Sequence, residues 1–568
     1  MNSLRRNAAS AAFAALAIAL AASASGATVA IQYRIDARVG VSDGVVSARE
    51  TIAWSNGTNE PRQIAVCAAP EHHIVGDAGL RARTVAPGEL VTLDLQWTAT
   101  LSRAGRSDVI AEHWYPRMAV AGDGGPARCL PTASGSTAPD DPADFDVSLS
   151  VPPGWIVAAT GREQTAEDGG ASGITHRFQQ RGVREFVWLS GQYYVERTRR
   201  IGVAPRAVDV RLLIQPEHLA QVDHLLDAAA EALAQHARWL TPYPDDHLTI
   251  VDTGWRSATD RSYPRLITFG TRWIVTPTDL TPEAAIVRGV SGQWWGGVVG
   301  LDPVEDHALG DGLRDYFTWL SVERLFDLRQ QRLATSTFGR AYFGGFIPWT
   351  SPNVRVPRAS AYRTRGGRGL GTLERYLGAP TFQRALAAVV DRYQDQRISR
   401  AEFFRALGDA AGQDLAWFES AVFAQSGSFD YAVASVMSVP DDACGASRCF
   451  RTTVVVERRG DGQFTGTSKL PVGPYSAGRA LVVTVAFADG QRADDTWDGR
   501  GPVKSIVFRS HAPAVSAFVD PGRTLLLDGK QTNNSWTSAP RAGFASTRWA
   551  ATWAIWLQDL LRSYASLL

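Results

Sequence analysis

"VRGVSGQWWGG", Val287–Gly297, is the stretch on which the reading of this chain turns. It continues from "TPEAAI", where Thr281 is placed to cap a helix and the residues after it keep helical spacing. Arg288 and Gly292 stand four residues apart, one helical turn, and so share a face. The paired Trp294 and Trp295 read as core anchors, since bulky aromatics suit the packing of one helix against its neighbours. The next helix, "GDGLRDYFTWLSVERLFD", places Asp311 nineteen positions after Gly292.

Outward from these two helices the pattern changes in both directions. A chain of 568 residues is too long for one hydrophobic core, and three or four domains are expected. Residues 28–206 alternate apolar and polar side chains in "VSARETIAWSN", "VTLDLQWTATL" and "FDVSLSVP", with Gly, Pro and Asp turns between them, which predicts a β domain of packed sheets. Residues 207–427 switch to helical spacing, beginning with "PEHLAQVDHLLDAAAEALAQHARWL" and running on through "PTFQRALAAVVDRYQ" and "SRAEFFRALGDAAG". From 428 to 535 the period returns to two in "RTTVVVERRG", "ALVVTVAFADG" and "VKSIVFRS", a smaller β-sandwich. Residues 536–568 are a linker and an amphipathic helix. Trp549, Trp553, Trp556, Leu560, Tyr564 and Leu567 recur along it at three- and four-residue steps.

Arg5 and Arg6, an apolar run and the small residues "SASGATVA" make residues 1–27 a cleaved secretory signal peptide. The mature chain is therefore expected to be exported, to the periplasm of a bacterium or beyond. Export makes the four cysteines disulfide candidates: Cys444 with Cys449 across a short loop, and Cys67 with Cys129 by elimination. A formal net charge of +1 gives no electrostatic reason to expect nucleic acid as a partner.

The end of the opening stretch, Gln-Trp-Trp-Gly, resembles the tail of H-E-x-x-H-Q-W-W-G, the zinc helix of the gluzincin aminopeptidases, the membrane alanyl aminopeptidase family. The resemblance spans roughly Val29 to Ser535 and implies an α+β multidomain fold. Its parts are an N-terminal β-sandwich or saddle, a thermolysin-like, mostly helical middle domain and a C-terminal β-sandwich. The family's zinc ligands and general base would fall on Arg288, Gly289 and Gly292, and the third ligand on Asp311. Asp306 matches an aspartate that often precedes that last element. The glutamate that holds a substrate's amino group falls on Ser262 in "DRSYPRLITFG", and the oxyanion tyrosine falls on Arg363, with Tyr362 one position away.

Zinc needs three protein ligands and an open position for water. Arginine stays cationic and glycine has no side chain, so of these positions only Asp311 could coordinate, and zinc is not expected as a cofactor. The expected function is that of an exported, non-catalytic aminopeptidase-like protein, binding a peptide or serving as a scaffold for a protein partner. The alternative is a hydrolase of the metallopeptidase family acting through an unrecognised site. Ser257, Ser262 and Ser291 have no histidine close in sequence and read as surface or capping residues. Arg288 is long enough to reach Asp311 across the space left by Gly292, which predicts an ion pair where the family holds zinc. The rival expectation is that Arg288 faces an open cleft and binds a ligand carboxylate together with Arg363. The C-terminal helix is expected to contact the protein's own surface, a membrane surface or a partner.

Overall fold

The computed structural model describes residues 30–540 except 41–43, 70, 76–81, 105–107, 122–126, 128, 133–134, 138–141, 171–172, 254–259, 271–280, 302–305, 326–357, 442–448 and 467–480, together with 543, 546, 547, 550 and 554. Helices make up 27% of the described residues and strands 45%, so the chain is a multidomain α+β protein. It divides into two compact units. The first holds residues 1–197, 211–216 and 247–268, and the second holds 198–210, 217–246 and 269–568.

A seven-stranded sheet organises the first unit. Its spatial order is Arg162–Asp168, Ile174–Val183, Ala143–Val151 (β4), Ile31–Gly40 (β1), Val45–Ser55 (β2), Leu90–Thr100 (β3) and His72–Val75. β1 lies antiparallel to β2 and parallel to Ala143–Val151. Strict alternation in "IQYRIDARVG" sends Ile31, Tyr33, Ile35, Ala37 and Val39 into the core, since successive side chains point to opposite faces. Trp97, Trp114 and Trp188 meet edge to face in that core. Cys67 and Cys129 form a disulfide with Cα atoms 5.5 Å apart and a sequence separation of 62. Closing a loop of that length restricts the unfolded chain by about 4 kcal/mol in the chain-entropy account. Cys449 is disulfide-bonded as well, and Cys444 lies outside the described residues.

In the second unit the helices are α1 (Val222–Trp239), α2 (Thr281–Trp294), α3 (His307–Leu325), α4 (Arg358–Leu377), α5 (Ala379–Arg392) and α6 (Arg400–Ala411). α1 buries Leu225, Leu226, Ala229, Ala232 and Leu233, the stripe its sequence spacing requires. α6 opens with a capping box in which Ser399 and Glu402 satisfy each other's backbone N–H, and closes on Gly412 at φ 69°. Such a cap is worth about 1 kcal/mol.

α3 and α4 come unusually close. A Cβ placed on Gly312 would lie 2.7 Å from the Gly366 carbonyl carbon, and one on Gly366 would lie 2.5 Å from the Ala308 oxygen. Glycines at both positions let the two backbones touch.

The same unit carries two further sheets. One runs β5 (Tyr431–Asp441), β6 (Cys449–Arg458), β9 (Val503–Ser510). The other runs β8 (Arg492–Trp497), β7 (Leu481–Phe487), β10 (Ala514–Val519), β11 (Ser535–Thr537). Val454, Val456, Ile506, Val483, Val485 and Val519 on these strands are buried. The segment expected as a signal peptide lies outside the described residues, as do the tryptophans of the C-terminal helix. No described helix is long and apolar enough to cross a membrane.

Candidate functional site

The opening stretch forms the second half of α2, and its glycines end the helix. Gly296 adopts φ 114°, a conformation that side-chain-bearing residues rarely take. A Cβ on Gly297 would lie 2.1 Å from the Gln293 oxygen. Arg314 of α3 then donates from Nε and Nη2 to the Trp295 carbonyl oxygen, at 3.2 and 3.0 Å, satisfying a carbonyl at the end of the helix. Trp294 and Trp295 are fully buried, and the Trp294 indole donates to the Thr241 carbonyl at 3.1 Å.

Arg288 crosses from α2 to α3. Its Nη2 lies 2.5 Å from Asp311 Oδ1 and its Nε donates to Asp315 Oδ1 at 2.9 Å. Asp311 and Asp315 are four residues apart on α3, so their carboxylates stand on one face and the guanidinium reaches both. The arginine side chain is 7% exposed, Asp315 7% and Asp311 18%. Asp315 was not singled out from sequence, although its spacing from Asp311 carried the signal. Asp306 anchors the start of α3: its carbonyl accepts from the Leu309 and Gly310 N–H groups, and its carboxylate accepts from the Arg400 N–H at 3.1 Å.

These residues do not fit the zinc ion that the family resemblance implies. The one carboxylate in ligand register is bound to a permanent cation, and the two histidine positions hold that cation and a glycine. A second carboxylate, at the arginine Nε, strengthens its hold on the position.

Three residues beyond Arg288 on α2 the structure corrects one reading of the sequence. Ser291 is neither a surface nor a capping residue; it is fully buried and 2.7 Å from His236 Nε2, across 55 residues of chain. His236 Nδ1 lies 2.7 Å from the Ala232 carbonyl oxygen. A carbonyl can only accept, so Nδ1 carries the proton, Nε2 accepts, and the Ser291 hydroxyl donates. The imidazole packs against Trp294 and Phe317 with ring centroids 4.9 and 4.6 Å away. Burial in this apolar shell pushes the imidazole down to about 4, so it is neutral near pH 7.

The remaining sequence candidates lie elsewhere. Ser262 belongs to the first unit, on the short strand Arg261–Tyr263, half-buried and paired with Ile267. Gly289 and Gly292 are interior residues of α2. Arg363 falls within α4, with its side chain outside the described residues, and Ser257 is outside them altogether. His72, on the strand His72–Val75, accepts the Ala69 N–H on Nδ1 at 2.9 Å and packs edge-on to Trp97. No protein-family model matches the chain, and no curated protein matches its sequence.

Proposed function

We propose that this chain is an exported, non-catalytic protein built on the gluzincin aminopeptidase plan, serving as a peptide-binding or scaffold protein. In this reading residues 28–206 are the N-terminal saddle, 207–427 the thermolysin-like domain and 428–535 the C-terminal sandwich. The observation that carries it is the Arg288 guanidinium held between Asp311 and Asp315, where the family holds a metal. A water-activating zinc site needs neutral nitrogen ligands, a carboxylate and a base. The same positions here form a salt link between two helices. The deciding experiment is elemental analysis of protein purified without chelator, together with an assay on aminoacyl chromogenic substrates. The reading requires less than stoichiometric zinc and no turnover. One equivalent of tightly held zinc, or zinc-dependent release of chromophore, would overturn it.

A second reading, hydrolysis through a different site, is favoured by one contact, the Ser291–His236 hydrogen bond. Its tautomer is the one a general base requires. Against it, both side chains are fully buried, and a nucleophile must meet its substrate. A fluorophosphonate probe separates the two readings: covalent labelling of Ser291 in the folded protein would support the hydrolase, and absence of labelling supports a purely structural bond.

A further inference from the structure

Eight large apolar side chains of the described residues stand out as exposed, and three of them share one sheet. Met437 on β5 is 64% exposed, and Val503 and Val507 on β9 are 55% and 53% exposed. Met437 is directly opposite Thr453 on β6, and Thr453 is directly opposite Val507. Cross-strand neighbours point to the same side, and Val503 is an even number of residues from Val507, so the three lie on one face. Val455, half-buried, sits two residues from Thr453 on that face. The opposite face of the same strands holds buried Val454, Val456, Ile506 and Phe508, so the exposed face is not the one that makes the core. At its margin Arg509 pairs with Asp441, and Arg459 with Glu457.

We infer that this face is the seat of the chain's own C-terminal tryptophan stripe, Trp549 to Leu567. The chain leaves the described fold from β11, which pairs with β10 and packs near β5, the strand that carries Met437. Residue 543 is already helical, so residues 538–542 make the connection, and extended they span about 17 Å, more than the about 10 Å between two packed sheets. Three strands spaced about 4.8 Å apart present a surface about as wide as one helix, 10–12 Å. Val503 to Val507 covers about 13 Å along the strand, and the first part of the stripe, Trp549 to Leu560, would cover about 16 Å of helix, so the face seats that part of it. Residues 543, 546, 547, 550 and 554 are helical and exposed; 543, 547 and 554 lie off the tryptophan stripe, and 546 and 550 stand on one flank of it. A helix laid on the open side of a sheet is an ordinary layer arrangement, and it would cover apolar surface on both partners.

The test uses the full-length protein carrying Val507→Cys, with and without Trp553→Asp and Trp556→Asp. Val75→Cys, on the sheet of the first unit, serves as control. Maleimide should modify position 507 about ten-fold faster when the stripe carries the aspartates, and position 75 at one rate in both backgrounds. A benzophenone attached at position 507 should cross-link to a peptide from 546–568 of the same chain. Equal rates at position 507 would overturn the proposal. So would cross-links that join two chains and increase with protein concentration, which would make the occupant a second copy. Protection that appears only when phosphatidylglycerol vesicles are added would also overturn it, because the stripe would then belong to a lipid surface.

Discussion

Arg288 and Asp311 are in contact across two helices, Nη2 to Oδ1 at 2.5 Å, and Asp315 accepts from Nε of the same guanidinium. Replacing Arg288 with alanine would leave two largely buried carboxylates together, which costs about 3–5 kcal/mol. Asp311→Ala should cost less than Asp315→Ala, because Asp311 is the more exposed partner and the arginine keeps the other. In a cycle of thermal melts the Arg288→Ala/Asp311→Ala double variant should lose clearly less than the sum of its singles. Additive losses would show that the contact carries no coupling.

His236 predicts a loss of stability in acid. Its folded value is near 4 and its unfolded value near 6.5, so the unfolded chain takes up the proton first as pH falls. Stability is full above about pH 6.5 and drains away between there and pH 4. The loss is about 3 kcal/mol if the whole shift is expressed. His236→Phe should flatten that segment of the profile. Unchanged acid sensitivity in the variant would move the cause to other groups.

Glu50 predicts the opposite slope. It lies on β2, 2% exposed, and accepts a hydrogen bond from the Trp97 indole at 2.8 Å. Burial pushes its carboxyl well above the ordinary value of 4.5. The folded state therefore holds its proton more tightly, and stability present below pH 4.5 is lost as pH rises through the raised value. Glu50→Gln, which mimics the protonated acid, should melt near the parent at pH 4 and progressively above it toward pH 8. A constant difference across that range would reject this account.

The α3–α4 crossing supplies a steric prediction. Alanine is the better helix former by about 1 kcal/mol, so Gly312→Ala and Gly366→Ala would each stabilise an isolated helix. Here the new methyl would press on backbone atoms that cannot rotate away, and overpacking typically costs 1–3 kcal/mol. Both variants should melt below the parent. Gly202→Ala, with nothing within 4 Å of the new Cβ, should shift the melting temperature much less. Gly312→Ala melting at or above the parent would show that the helices separate without penalty.

Much of the local architecture follows from neighbouring residues alone. Alternation in "IQYRIDARVG" is enough to choose the buried face of β1, because side-chain direction along a strand has period two. Helical spacing places α2 and α3, and glycines at 296 and 297 stop α2: Gly296 takes a backbone conformation closed to other residues, and a Cβ at 297 would collide with the Gln293 carbonyl. The incapacity of Arg288 and Gly292 to ligate a metal is likewise a property of the side chains themselves, and the reach from 288 to 311 follows from arginine's length.

What needed the tertiary structure is which distant groups meet. Asp315 joins Arg288 because α2 and α3 pack at one particular rotation. Ser291 finds His236 because α1 lies against α2, so a serine with no histidine near it in sequence is bound to one in space. The backbone contact of Gly312 with Gly366 exists only at the crossing of α3 and α4. Periodicity is set by bonds between neighbours and is written along the chain, whereas the partner across a core is set by how whole faces fill space together.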